Sequence, residues 1–148
     1  MNSALIDTNL LIYLYDQRDP VRQERAQQLL HDLGALGAGC LSVQVLGEFF
    51  HVATRRLSPP LTAAEAYEQV TLLSQVWRMF DLTPLIVLEA ARGVRDHRLS
   101  YFDAQLWATA RLNQIPLLLS EEFQDGRLLE GVRFLNPLAS DFDLAVWL

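Results

Sequence analysis

Ser3-Ala4-Leu5-Ile6-Asp7-Thr8-Asn9 decides how the rest of the chain is read. Ala4, Leu5 and Ile6 form an apolar run with strand character that ends abruptly in a carboxylate. Thr8-Asn9 then supplies turn and cap chemistry ahead of Leu10-Leu11-Ile12-Tyr13-Leu14. In an open α/β sheet, ligands bind just beyond the carboxyl ends of the strands, and that is the place Asp7 takes. One acid at a strand end is weak evidence by itself. Its meaning depends on whether other acids converge on it.

Working outward, Leu10 to Tyr15 reads as a short helix. Pro20 opens a second helix over Val21 to Leu36, with Ala26, Leu29, Leu30 and Leu33 on one face and Gly34, Gly37 and Gly39 to end it. Cys40-Leu41 is a candidate second strand, and Ser42 is placed to cap a helix from Val43 to Arg56. After the breaker Ser58-Pro59-Pro60, Thr62 caps a helix from Ala63 to Arg78 that carries Ala66, Val70, Leu73 and Trp77 on one side. Asp81-Leu82-Thr83 reads as a short strand. Helices follow from Pro84 to His97 and from Ser100 to Asn113, then strands at Leu117-Leu118-Leu119 and Val132 to Leu135. Ser120 to Gly131 is a polar connection with room for a turn of helix. Strands alternating with helices predict an α/β fold: a single domain over residues 1–148, with a central, mostly parallel sheet flanked by helices. Residues 139–148 form a C-terminal tail whose apolar content (Phe142, Leu144, Val146, Trp147) calls for a docking surface.

Composition narrows the chemistry. The chain of 148 residues is 51% hydrophobic and 20% charged, which suits one globular core. Apolar runs fall short of the roughly 20 residues of a membrane span, and no basic segment precedes the first apolar run, so neither a membrane anchor nor a signal peptide is expected. Cys40 is the only cysteine, which excludes an internal disulfide and fits a reducing cytoplasm. A net charge of -6 argues against nucleic-acid binding by bulk electrostatics, but not against a nuclease whose acids are neutralised by divalent cations. All 12 basic residues are arginine, so lysine Schiff-base chemistry and a phosphate-binding P-loop are out. His31, His51 and His97 lack zinc-ligand spacing.

Three further acidic positions can meet Asp7. Glu48 lies within the stripe Leu41, Val45, Glu48, Val52, where an unpaired carboxylate is costly unless it finds a partner or a cation. Asp103 stands three residues after Ser100, in the form of a capping box, at the start of a helix whose core stripe reads Phe102, Leu106, Ala110. Glu121, Glu122 and Asp125 follow Ser120 at the end of the Leu117–Leu119 strand, which, if parallel to the first, delivers them to the same sheet edge. Oxygen-rich clusters of this kind suit Mg²⁺ or Mn²⁺.

The segments Leu5-Ile6-Asp7-Thr8-Asn9-Leu10-Leu11, Ser42 to Phe49, Leu99 to Ala104 and Leu118 to Gly126, in that order, resemble the PIN-domain family, and within it the toxin ribonucleases of VapBC-type toxin–antitoxin pairs. The resemblance implies a metal-dependent single-strand endoribonuclease, usually a homodimer, that a small antitoxin inhibits; the lone Cys40 adds the expectation of a cytoplasmic location. It implies Asp7, Glu48 and Asp103 as the acidic core and Thr8, Asn9 and Ser120 as supporting polar groups. Many relatives carry Asp where this chain has Glu122, so which of Glu121, Glu122 and Asp125 is the fourth acid stays open, with Glu122 or Asp125 to complete a second metal position. On this reading Asp7 and Asp103 bind Mg²⁺ or Mn²⁺ directly and Glu48 binds or orients a coordinated water. Arg92, Arg95 and Arg98, at three-residue spacing, either steer RNA phosphates or form a solvated, ion-paired face. The alternatives are a PIN-like module that binds RNA or protein without cutting, a PIN nuclease of RNA processing rather than a toxin, and an aspartyl-phosphate phosphatase. The last commonly wants a second acid where this chain has Asn9.

Overall fold

The computed structural model describes all 148 residues. Six strands form one sheet in the order β3-β2-β1-β4-β6-β5. They are β1 (Ala4–Ile6), β2 (Gly39–Ser42), β3 (Arg78–Phe80), β4 (Leu117–Leu119), β5 (Leu128–Leu129) and β6 (Val132–Leu135). Every pairing is parallel except the β5–β6 hairpin. The helices are α1 (Thr8–Tyr13), α2 (Pro20–Leu36), α3 (Val43–Ala53), α4 (Ala63–Val76), α5 (Pro84–His97) and α6 (Tyr101–Leu112). The predicted α/β architecture is the observed one.

β1 is central because it can be. Ala4, Leu5 and Ile6 are fully buried, as a strand covered on both faces by helices requires. In register, Ile6 pairs with Leu119, so Asp7 and Ser120 leave the sheet side by side at its carboxyl edge. Ser42, at the end of β2, caps α3 through its hydroxyl. The α2 stripe of Ala26, Leu29, Leu30 and Leu33 is the face it buries. Gly37 ends that helix at φ 64°, a left-handed position where a side chain would be strained. Gly39 then lets the Trp77 ring lie directly on β2, since a Cβ there would collide with it.

Several boundaries differ from the sequence reading. Asp7, not Thr8 or Asn9, is the N-cap of α1. Helix α3 stops at Ala53, three residues before Arg56. Helix α4 stops at Val76, and Trp77 is extended (φ -98°, ψ 145°), so the strand is Arg78–Phe80 rather than Asp81–Thr83. The pull is tertiary: Trp77 seats on the core beside Gly39, and the following residues pair with β2. Residues 120–131 hold no helical turn. They form a loop and the short strand β5, which folds back on β6. The tail docks on its own sheet layer. Phe142, Leu144, Trp147 and Leu148 pack against the core, Asn2 Nδ2 donates to the Trp147 carbonyl at 2.8 Å, and the Arg133 guanidinium lies over the Trp147 ring. No helix is long and apolar enough to cross a membrane.

Candidate active site at the carboxyl edge of the sheet

Asp7 sits where β1 stops and is 7% exposed. Its Oδ1 accepts from its neighbour's amide, Thr8 N, at 2.7 Å, and its Oδ2 accepts from the Ser120 hydroxyl at 2.7 Å. Ser120, from the end of β4, is 1% exposed. Its oxygen also accepts from Asn9 Nδ2 at 3.1 Å and from the Glu122 amide at 3.0 Å. One hydroxyl thus ties together the ends of two strands, the first turn of α1 and the loop that carries Glu122. Asn9 Oδ1, on the amide that donates to Ser120, is buried and accepts no hydrogen bond.

Burial pushes the Asp7 carboxyl up to about 7; the Ser120 and Thr8 hydrogen bonds oppose that rise, and the negative charges of Glu122 and then Glu48 add to it. Glu122 and Glu48 therefore lie within electrostatic reach of Asp7. Glu48, on α3, is half-buried, with Oε2 accepting from Thr8 Oγ1 at 2.7 Å and Oε1 from Gln44 Nε2 at 2.9 Å. The cost of a carboxylate on an apolar helix face is met here by two directed donors.

Asp103 is in the first turn of α6 and half-buried, but Ser100 makes no side-chain capping bond, so the capping box does not form. Phe102, expected in the core stripe, is 63% exposed, and the buried face of α6 begins at Ala104. The first turn of α6 is instead held to α3, where Gln44 Nε2 donates to the Phe102 carbonyl at 3.0 Å. The Asp103 carboxylate makes no hydrogen bond to the rest of the chain.

The three acids after Ser120 have three different employments. Glu121 accepts from Tyr13 Oη and from Arg22 Nε, both at 2.6 Å, which also lifts the Tyr13 phenol, already raised by partial burial, to about 12. Asp125 Oδ1 accepts from the Asn136 amide at 2.9 Å, and its side chain lines a cavity shared with the tail residues Asp141, Phe142 and Trp147. Glu122 is exposed, and its carboxylate makes no hydrogen bond. The acids line one edge without forming a coordination cage: no three acidic, histidine or cysteine side chains stand close enough to hold a metal ion as they are. All the available donors are oxygens, the ligand type of Mg²⁺ and Mn²⁺. Cys40, on β2, is buried, its thiol pushed up to about 12 by burial, and it donates to the Ala4 carbonyl.

The arginines divide. Arg92 pairs with Glu89 and with Glu130 (2.8 Å) and stacks over Trp107, within a cluster that also holds His97 and Arg111. Arg95 pairs with Asp96. Arg98, the left-handed C-cap of α5 at φ 57°, is exposed and makes no ion pair. The ion-paired alternative therefore describes Arg92 and Arg95, and Arg98 is the free cation nearest in sequence to Asp103. Neither Gln44 nor Gln105 belongs to an acidic motif; the one local signal for Gln44 is its i, i+4 spacing to Glu48.

A family model described as the PIN domain matches residues 4–124. The chain belongs to the PIN-domain family. Among solved structures, this PIN domain is similar to the Mycobacterium tuberculosis VapC20, a sarcin–ricin loop cleaving toxin. The two are 26% identical, with a TM-score of 0.66 over 88% of this chain and 99% of that one. A toxin–antitoxin complex from Klebsiella pneumoniae matches at 22% identity and a TM-score of 0.65, covering 91% of this chain and 98% of the other. FitAcB from Neisseria gonorrhoeae matches at 17% identity and a TM-score of 0.63, over 90% and 97%. At those two identities the likeness is one of fold. No curated protein matches the chain in sequence.

Proposed function

We propose that this PIN domain is an endoribonuclease dependent on Mg²⁺ or Mn²⁺ and the toxin of a toxin–antitoxin pair, acting in the cytoplasm as a homodimer restrained by a small antitoxin. The observation that carries the reading is Asp7: a buried carboxylate at the end of a central parallel strand, tied to Ser120 and within reach of the Glu48 and Glu122 charges. The likeness to a VapC toxin that cleaves the sarcin–ricin loop supports RNA as substrate. The all-oxygen donor set and the unspent buried Asn9 Oδ1 fit a hard divalent cation.

Asp7, Asp103, Glu48 and Glu122 are the residues assigned to hold it, with Thr8, Asn9 and Ser120 in support. A cation bound there supplies Lewis acidity at the phosphate and acidifies a coordinated water. The chain's own contribution is preorganisation. Thr8 aligns both acids, its amide donating to Asp7 and its hydroxyl to Glu48. The Ser120 hydroxyl donates to Asp7 and favours its ionised form, opposing in part the larger, upward pull of burial. Of the three acids after Ser120, Glu122 is the one whose carboxylate is not engaged elsewhere in the fold. The test is cleavage of an RNA panel by wild type and Asp7→Asn, in Mn²⁺ and in EDTA, with and without the candidate antitoxin. Cleavage confined to wild type in Mn²⁺ is expected. Cutting by Asp7→Asn at the wild-type rate overturns the assignment.

A further inference from the structure

We infer that Gln44 is a positioning residue for this site: its side-chain amide joins Glu48 to the backbone immediately before Asp103 and so sets two of the acids relative to each other. The inference rests on the nuclease reading above and deepens it.

Every hydrogen-bonding group of the Gln44 amide is used. Nε2 donates to Glu48 Oε1 at 2.9 Å and to the Phe102 carbonyl at 3.0 Å, and Oε1 accepts from Gln105 Nε2 at 3.0 Å. Gln105, 5% exposed on α6, accepts in turn from Tyr101 Oη at 2.9 Å. The chain of donors therefore runs one way, from Tyr101 through Gln105 and Gln44 to the Glu48 carboxylate. Its sense is determined. Rotating the Gln44 amide by half a turn would set its oxygen against a carboxylate and a carbonyl, and its nitrogen against the Gln105 nitrogen. Three acceptor–acceptor or donor–donor contacts would replace three hydrogen bonds.

The consequence is geometric. Glu48 belongs to α3 and Asp103 to α6, and neither helix's own backbone sets the distance between them. Gln44 touches both sides with one rigid amide, one turn before Glu48 and one residue before Asp103. Thr8 Oγ1 fixes the other Glu48 oxygen from α1, so each oxygen of that carboxylate is oriented by a different element. A carboxylate held in this way spends less conformational entropy on coordinating a cation.

Mn²⁺ affinity, measured from the free-ion electron paramagnetic resonance signal, separates positioning from packing. It is read on the purified full-length wild type, Gln44→Met, Gln105→Met and Asp7→Asn, alongside RNA cleavage kinetics and thermal unfolding in EDTA. Methionine keeps the length of the side chain and removes its donors. Gln44→Met is expected to bind Mn²⁺ about tenfold more weakly, the low end for loss of a group that orients a ligand. Its kcat should fall at limiting Mn²⁺ and recover at saturating Mn²⁺, with the KM for RNA unchanged. Gln105→Met should show a smaller loss of the same kind, since Gln44 keeps both donors. Wild-type Mn²⁺ affinity in Gln44→Met, with only a lower melting temperature, overturns the inference. If Gln44→Met does not fold, Gln105→Met decides by the same two readouts. Absence of Mn²⁺ binding by wild type removes the nuclease reading itself, and the inference with it.

Discussion

The Ser120 hydroxyl donates to Asp7 Oδ2 at 2.7 Å across the β4–β1 seam. Its proton has no alternative destination, because the Ser120 oxygen already accepts from Asn9 Nδ2 and the Glu122 amide. The bond therefore presents Asp7 with a donor and favours its ionised form, while burial and the neighbouring Glu122 and Glu48 charges favour the protonated one. The balance comes out near neutrality, at about 7. A carboxyl poised there changes charge in the range where proteins are normally handled, and the consequences are measurable.

The first concerns stability. The Asp7 carboxyl is raised in the fold, so its contribution is fully present below the ordinary carboxylate range and is lost as pH rises through about 7. In EDTA, wild type should lose stability between pH 4 and pH 8, by up to about 4 kcal/mol from this group. Asp7→Asn should lose much less. Chemical denaturation at fixed pH values measures both, and parallel curves for the two proteins would contradict the account.

The second concerns cation binding. At pH values below about 7 a cation must displace the Asp7 proton. Mn²⁺ affinity should therefore fall about tenfold per pH unit on the acid side of 7 and flatten above it. Calorimetric titration in buffers of different ionisation enthalpy should detect close to one proton released per site at pH 6.

The three acids after Ser120 should separate in a cleavage assay. Glu122→Gln should cut RNA at least tenfold more slowly, in line with loss of a group at the metal. Glu121→Gln breaks the contacts to Tyr13 and Arg22 and should cost at most about 1 kcal/mol of stability with cleavage retained. Asp125→Ala releases the Asn136 amide and should cost about 1 kcal/mol, also without loss of cleavage.

The arginines should divide as their partners do. Arg92→Ala breaks pairs to Glu89 and Glu130 and uncovers Trp107; a small loss of stability is expected in thermal unfolding, modest because the side chain is solvated. Arg98→Ala should leave stability unchanged and lower the salt slope of RNA binding by about one. A salt slope altered by Arg92→Ala but not by Arg98→Ala would reverse the assignment.

By itself the sequence determined the elements whose signals are local. The buried run Ala4–Ile6, the stripe Ala26, Leu29, Leu30, Leu33, the Ser42 and Thr62 caps and the Leu117–Leu119 strand depend on nearest neighbours and helical period, and all are found. They place Asp7, Glu48 and Ser120 at one end of the parallel strands. Tertiary structure decided whatever depends on partners distant in the chain. Trp77 left its helix to pack on Gly39 and released Arg78–Phe80 to β2. The Ser100–Asp103 spacing suited a capping box, yet the first turn of α6 is held by Gln44, 58 residues earlier in the chain than Phe102. Among Glu121, Glu122 and Asp125 the sequence offered three similar acids. Only the fold gave Glu121 to Tyr13 and Arg22 and Asp125 to Asn136, because a carboxylate's role is set by the donors and charges around it, and those arrive from other elements.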